Sequence, residues 1–321
     1  MALFVEVAPQ LNAQTSIGSL AVYNGHLYGG TSDGARLFEW NDVNAWVQVA
    51  PQLGTELWIN ALAVYNGHLY GGTSINADRG KLFQWNDVNA WVEVAPGLGN
   101  NVYTLCVYNG HLYGSGPYST TFGSLFEWND VNAWVEVAPW LGGQTTIYQL
   151  CVYNGHLYGG TGNLVGGRLF EWNDVNAWVQ VAPTLGVETR IYCLCVHDGH
   201  LYGGGGTTGE LYQWNDVNAW VSVAPVLNFQ TSIMCLISYN GKLYGGTGNQ
   251  GRLFQWNGVN AWVQVADRLN LQNSIRSLAE YNTKLYAGTN NGGRLFTLSS
   301  GIGGGYKRLV NYPHRKTLIG R

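Results

Sequence analysis

One block of sequence returns seven times along this chain. The segment Tyr-Asn-Gly-His-Leu-Tyr begins at Tyr23, Tyr65, Tyr108 and Tyr153, and returns with substitutions at His197, Tyr239 and Tyr281, at spacings of 42, 43, 45, 44, 42 and 42 residues. Two further landmarks keep step with it. Leu-Phe-x-Trp-Asn starts at Leu37, Leu82, Leu125 and Leu169, as Leu-Tyr at Leu211, and again at Leu253; the Trp of Asn-Ala-Trp-Val-x-Val-Ala falls at 46, 91, 134, 178, 220 and 262. A unit of this size cannot bury an apolar face alone and must stack on copies of itself. That requirement excludes most folds before composition is considered.

Each unit divides into four strands. In the first, strand a is Ile17–Tyr23, b is His26–Thr31, c spans 36–41 and d spans 45–50. Asn24-Gly25 between a and b is the strongest short hairpin signal, because a type I′ turn needs positive φ at both residues. Asn41-Asp42-Val43-Asn44 between c and d is a second tight turn, with side chains able to bond their own backbone. Four antiparallel strands every 40 to 50 residues read as one blade of a β-propeller. Strand a is apolar almost throughout, as an inner strand buried between neighbouring blades would be.

The chain ends specify how the ring closes. The seventh unit has strands a to c and stops at Ser299-Ser300 without a strand d. Leu3-Phe4-Val5-Glu6-Val7-Ala8-Pro9 matches Ala-Trp-Val-Glu-Val-Ala-Pro, with Phe4 in the Trp place. An N-terminal strand that completes the last blade removes the open edge and locks the circle. The expected fold is therefore all-β: a seven-bladed propeller over residues 1–298, followed by a Gly-rich, basic tail over 299–321.

Composition agrees. Of 321 residues, 46% are hydrophobic and only 11% charged, with 45 Gly, 20 Tyr and 14 Trp, a profile of short strands and tight turns. The net charge of −3 hides an asymmetry: the tail holds five of the 16 basic residues and no acid. Residues 1–298 then carry 11 basic against 19 acidic groups, a net of −8, which excludes nucleic acid as partner of the body. No run of 18 apolar residues would span a membrane, and the N-terminus lacks a secretory pattern. A cytoplasmic monomer is expected. The five cysteines (Cys106, Cys151, Cys193, Cys195, Cys235) all fall in strand a and read as small buried hydrophobes.

The unit resembles the kelch repeat in Gly29-Gly30 after strand b, Trp40 in strand c, and Trp-x-x-Val-Ala-Pro in strand d. It departs by being shorter, with Gly-Gly directly after Leu27-Tyr28. It is also similar to Asp-box propellers in Leu-Tyr-x-Gly-Thr near Lys284–Thr289 and in the hairpin Asn41–Trp46, which is one residue short and lacks the Gly. The near-identity of the units resembles recently amplified bacterial propellers. These resemblances imply architecture; both families hold enzymes and non-enzymes, so they imply no activity.

In such a blade the a–b and c–d turns share one face of the disc, and the b–c and d–a loops share the other. The first pair barely varies between units. The second varies freely, and loops on a rigid scaffold are where proteins place recognition. Aromatics foreign to the repeat occur there: Trp58, Tyr118, Phe122, Trp140 and Phe229. Strand a admits Tyr103, Tyr148, Tyr192 and Arg276 five places before the landmark residue, near the channel mouth. Such side chains anchor sugars or peptides well. They serve equally well to pack a loop onto the neighbouring blade.

No chemistry is legible. The recurring His26, His68, His111, His156 and His200 stand one blade apart and give way to Lys242 and Lys284, as a solvated turn flank allows. The repeated Asp42, Asp87, Asp130, Asp174 and Asp216 become Gly258, which fits a turn role. Glu56, Asp78, Glu188 and Asp267 come from different blades, and their pairing is open. Cys193-x-Cys195 lacks partners at zinc spacing. No catalytic set, metal or cofactor is expected. The sequence points to a non-catalytic scaffold binding a protein, peptide or carbohydrate through its variable face. Two alternatives stand: a multivalent lectin with one site per blade, and a hydrolase at the channel mouth.

Overall fold

The computed structural model of the chain describes residues 3–11, 14–75, 80–97, 101–116, 123–139, 141, 143–163, 166–225, 227, 230–266, 269 and 271–299. Among the described residues twenty-eight strands, numbered in chain order, form seven four-stranded antiparallel sheets. The first complete blade runs β2 (Ile17–Tyr23), β3 (His26–Thr31), β4 (Leu37–Trp40) and β5 (Trp46–Ala50). Strands a and b have the expected bounds; c and d are each shorter at the turn between them. There the Asn41 Oδ1 accepts the backbone N–H groups of Val43, Asn44 and Ala45, all at 3.0 Å, so Asn41 belongs to the turn and not to the ladder.

The last sheet joins β1 (Leu3–Ala8), β28 (Leu295–Ser299), β27 (Lys284–Asn290) and β26 (Ser274–Tyr281) in that order, with β1 from the N-terminus paired to β28. This is a seven-bladed propeller closed by its own N-terminal strand. Phe4 stacks on Phe296 with ring centroids 6.3 Å apart, and Arg294 reaches across to Glu6 at 2.7 Å. The β28 strand extends to Ser299, paired with Leu3, one residue past the expected end of the repeat. Residues from Ser300 onward lie outside the described set.

Both turn signals hold as geometry. Asn24 and Gly25 sit at φ 47° and 77°, the positive pair a type I′ turn needs. The c–d Asp occupies φ 61° at Asp42 and Gly258 takes 80° in the sixth blade, so glycine there relieves a left-handed position. The Asp has a second task that the sequence did not disclose. The phenol at the end of strand a donates across the seam to the next blade. Tyr65 O–H reaches the Gly110 carbonyl at 3.0 Å and Asp130 at 3.1 Å; Tyr108 pairs likewise with Gly155 and Asp174, and Tyr153 with Gly199 and Asp216. Tyr281 makes the same bonds to Gly25 and Asp42, which closes the circle.

Blades pack through glycines. A Cβ on Gly29 would lie 3.1 Å from the Trp46 ring, and one on Gly30 only 2.7 Å from Ile59 of the next blade. The first glycine becomes Ala287 in blade seven, where Phe4 replaces the Trp. The expectation of a strand a buried on both faces needs correction. Its residues alternate between buried and half-exposed, and Val22 is 41% exposed, because the inner strands line an open channel.

Candidate functional site

In six of the seven blades strand a carries an irregularity at the same place. Ile17 pairs with Thr31, then Ser19 with Gly30, leaving Gly18 without a partner. The same slip frees Asn60, Tyr148, Tyr192, Met234 and Arg276. Tyr103 stands at the matching place just before its strand, its N–H bonded to the Ser115 carbonyl. A bulge releases one residue from the pleat and re-aims its side chain. Here it aims toward the ring axis: all seven residues line one cavity of about 1010 Å³. Strands a begin at this end of the channel, so the cavity opens on the face of the variable loops.

Three of the seven build an aromatic wall. Tyr103 and Tyr148 stack with centroids 6.0 Å apart and planes 13° from parallel, and Tyr192 meets Tyr148 edge-on at 5.3 Å. Arg190 lies over both, 5.7 Å from the Tyr148 centroid and 5.8 Å from that of Tyr192, and its Nη1 donates to the Tyr192 hydroxyl at 2.7 Å. Burial raises the Tyr148 phenol pKa, a shift that the neighbouring guanidinium opposes. The bond to Tyr192 in turn raises that of Arg190. Arg276 faces the same cavity from blade seven and is exposed.

Arg190 was not among the residues singled out from sequence. The period-2 alternation of a strand puts residues 190 and 192 on one face, and that signal would have found it. Trp58 also lines the cavity but is no loop residue: it opens strand a of blade two, paired with Ser74 and bridged to Ser32, and is half-buried. Tyr118, Phe122, Trp140 and Phe229 lie outside the described residues. Among the described lining residues there is no Asp, Glu, His or Lys; the charges are Arg190 and Arg276 alone.

The acids left open have separate places. Glu56 and Glu188 are buried at 2% and 0% and occupy the position that other blades fill with Gln14, Gln144, Gln230 and Gln272. There Thr73 donates to Glu56 as Thr31 does to Gln14 and Thr161 to Gln144. Glu188 accepts from the backbone and hydroxyl of Thr208. They do not converge. Asp78 and Asp267 lie outside the described residues.

The turn-flank histidines each face an acid of their own blade, His26 with Glu39 at 3.0 Å and His156 with Glu171 at 3.2 Å, with half of each imidazole exposed. Burial pushes the thiols of Cys106, Cys151 and Cys235 up to about 12, and that of Cys195 to about 11. Among the described residues, no three or more His, Cys, Asp or Glu side chains gather where they could hold a metal ion.

Comparison with known proteins yields fold and nothing finer. No family model matches the chain, and no curated protein resembles it, so the kelch-like and Asp-box-like motifs find no family counterpart. Solved propellers do resemble it. The WD40 β-propeller domain of Doa1 superposes with a TM-score of 0.68 at 12% identity, covering 94% of this chain and 98% of that one. The computationally designed Ika8 protein gives 0.61 at 12% identity, over 91% and 99%. The extracellular domain described as that of a hybrid two-component system of B. thetaiotaomicron gives 0.71 at 16% identity, over 92% of this chain and 40% of that one. The chain shares the propeller architecture with all three. Identities this low carry no function across.

Proposed function

We propose that the protein is a non-catalytic recognition module whose ligand enters the channel mouth on the variable-loop face. The observation that carries this reading is the asymmetric wall of Tyr103, Tyr148 and Tyr192, clamped by Arg190 and faced by Arg276. Seven equivalent positions, six of them bulges, could have displayed seven equivalent side chains. They display three tyrosines in adjacent blades, an arginine across the ring, and Gly18, Asn60 and Met234 between. A lectin with one site per blade would draw on repeated residues, so the asymmetry favours a single ligand. Hydrolases draw their general acid or base most often from His, Asp, Glu or Lys, and the described lining holds none of these.

A rigid aromatic wall in a cavity whose charges are two guanidinium groups suits a peptide or glycan with flat surfaces and a negative group. The test is binding on peptide and glycan arrays, followed by titration of the best ligand with Tyr148→Ala and Arg276→Gln. Each variant is expected to weaken binding by roughly tenfold or more, since anchors of this kind are each worth about 1.4 kcal/mol or above. Unchanged affinity in both variants would move the site elsewhere.

A further inference from the structure

The opposite face, where the units hardly vary, departs from the repeat at one seam. Between blades five and six the phenol at the end of strand a becomes His197, the following Asn becomes Asp198, and the Val of the next strand a becomes Ser238. Lys242 stands in place of the turn-flank His, and the c–d Asp becomes Gly258. Lys284 also replaces that His in blade seven; the other four changes occur at this seam alone or, for Ser238, meet a different residue only at Glu280. These positions are scattered over 60 residues of sequence and meet in one place.

The consequence is an opening. In the neighbouring seam the Tyr153 hydroxyl donates to the Gly199 carbonyl at 3.0 Å and to Asp216 at 2.8 Å, and fills the space. At blades five and six both partners of that bond are gone. The shorter His197 turns to Ser238, Nδ1 to Oγ 2.9 Å, and its Nε2 lies 3.5 Å from Asp198. A cavity of about 530 Å³ remains, lined by His197, Asp198, His200, Lys242, Gln255 and Gly258 among others. Trp256 at its wall is half-exposed, whereas Trp40, Trp85, Trp128, Trp172 and Trp214 at the same repeat position are buried.

The missing pieces define the ligand. The seam has lost a carboxylate and a hydroxyl that donated to a glycine carbonyl. It has gained Lys242, which faces Gly258 where other units place Asp, and Gln255 where blades one, three and four place Glu and blades two and five also place Gln. Asp198, the acid in the lining, is already beside His197. We propose that this seam is a second binding site, for a small hydroxycarboxylate. Its carboxylate takes the place of the lost Asp against the Lys242 ammonium, and its hydroxyl donates to the Gly241 carbonyl in place of the lost phenol. A charge-assisted bond supplies most of the attraction, and the hydroxyl supplies selectivity.

The test exploits the repeat itself. Glycolate and lactate are titrated into the full chain, with Trp256 fluorescence and calorimetry as readouts, and acetate and inorganic phosphate as comparison probes. Saturation is expected at millimolar concentration, as befits a ligand of few atoms, with acetate roughly tenfold weaker for want of the hydroxyl. Lys242→Gln should weaken lactate binding about tenfold. The double change His197→Tyr with Gly258→Asp restores the pair seen in Tyr65 with Asp130, Tyr108 with Asp174 and Tyr153 with Asp216, so it should fold, raise the melting temperature and abolish binding. Arg276→Gln, in the channel mouth on the other face, should leave lactate binding unchanged. Undiminished binding in the double variant, tighter binding of phosphate or acetate than of lactate, or no saturable response would each overturn the assignment.

Discussion

Thr283 sits in the last a–b turn at φ 59°, at the position that every other unit gives to glycine. A β-branched residue in the left-handed region costs on the order of 1–3 kcal/mol, part of which glycine's extra freedom in the unfolded chain offsets. Thr283→Gly is therefore expected to stabilise the protein by about 1 kcal/mol in denaturant titration; a loss of stability would show that the threonine side chain earns its place. Glu56 gives a second residue-scale prediction. Burial lifts its carboxyl above the usual range, opposed by the Thr73 hydroxyl and by Lys81. The folded state thus holds this proton more tightly than the unfolded chain. Its contribution is full below the ordinary carboxylate value and is lost as pH rises through the raised one. Glu56→Gln, the residue that four other blades use, should raise the melting temperature at pH 7 and leave it unchanged near about pH 3. A gain of equal size at both pH values would exclude the titration argument.

At the scale of the element, the strands a blade can least spare are those that carry its seams. Trp46 in strand d is partly buried and packs over Gly29, and its removal strips that cover from the strands beneath. Trp46→Ala should cost about 3–5 kcal/mol in urea unfolding, and Trp178→Ala the same, because the two occupy equivalent places. Equal effects would confirm that the units are interchangeable in packing; a cost under about 1 kcal/mol at either would contradict it. Strand β1 differs in kind. Without residues 1–9 the edge of β28 is unpaired, and an open edge recruits other chains. The truncated protein should melt lower and scatter light on standing, whereas an unchanged melting curve would remove β1 from the account of closure.

For the whole molecule, the ring is closed by hydrogen bonds within one blade and not merely by blades touching. A circular permutant makes the difference measurable. If Ser299 is joined to Leu3 through an Asn-Asp-Val-Asn turn and the chain is opened before Ser16, all seven blades are intact. The ends then meet only across the seam between blades one and seven, through packing and the Tyr281 bonds to Gly25 and Asp42, with no shared strand ladder. The permutant should fold yet melt below the parent, by the contribution of the interlocked strand. The raised thiol pKa values make a further global prediction. Thiolate is the reactive form, so none of the five cysteines should react rapidly with a disulfide reagent at pH 8 while the ring is folded. A fast-reacting thiol would mean that the inner strands open locally.

Sequence by itself determined the architecture, because a repeat constrains the same choice seven times. The Asn-Gly turns, the two-residue alternation and the match of Leu3–Ala8 to strand d are local signals. Local signals survive without knowledge of the rest of the chain. Tyr103, Tyr148, Tyr192 and Arg276 stand out in the sequence by their odd residue types, and their place in strand a puts them near the channel mouth. Their assembly with Arg190 into one wall was not legible, since it depends on the rotation between adjacent blades. The seam at His197 and Gly258 was less legible still. Each departure looks like drift when read along the chain, and Gly258 was readable only as a residue the turn accepts. Only the closed ring puts residue 197 of one blade against residue 258 of the next, and only there does the loss of a phenol and of its acceptor become one cavity.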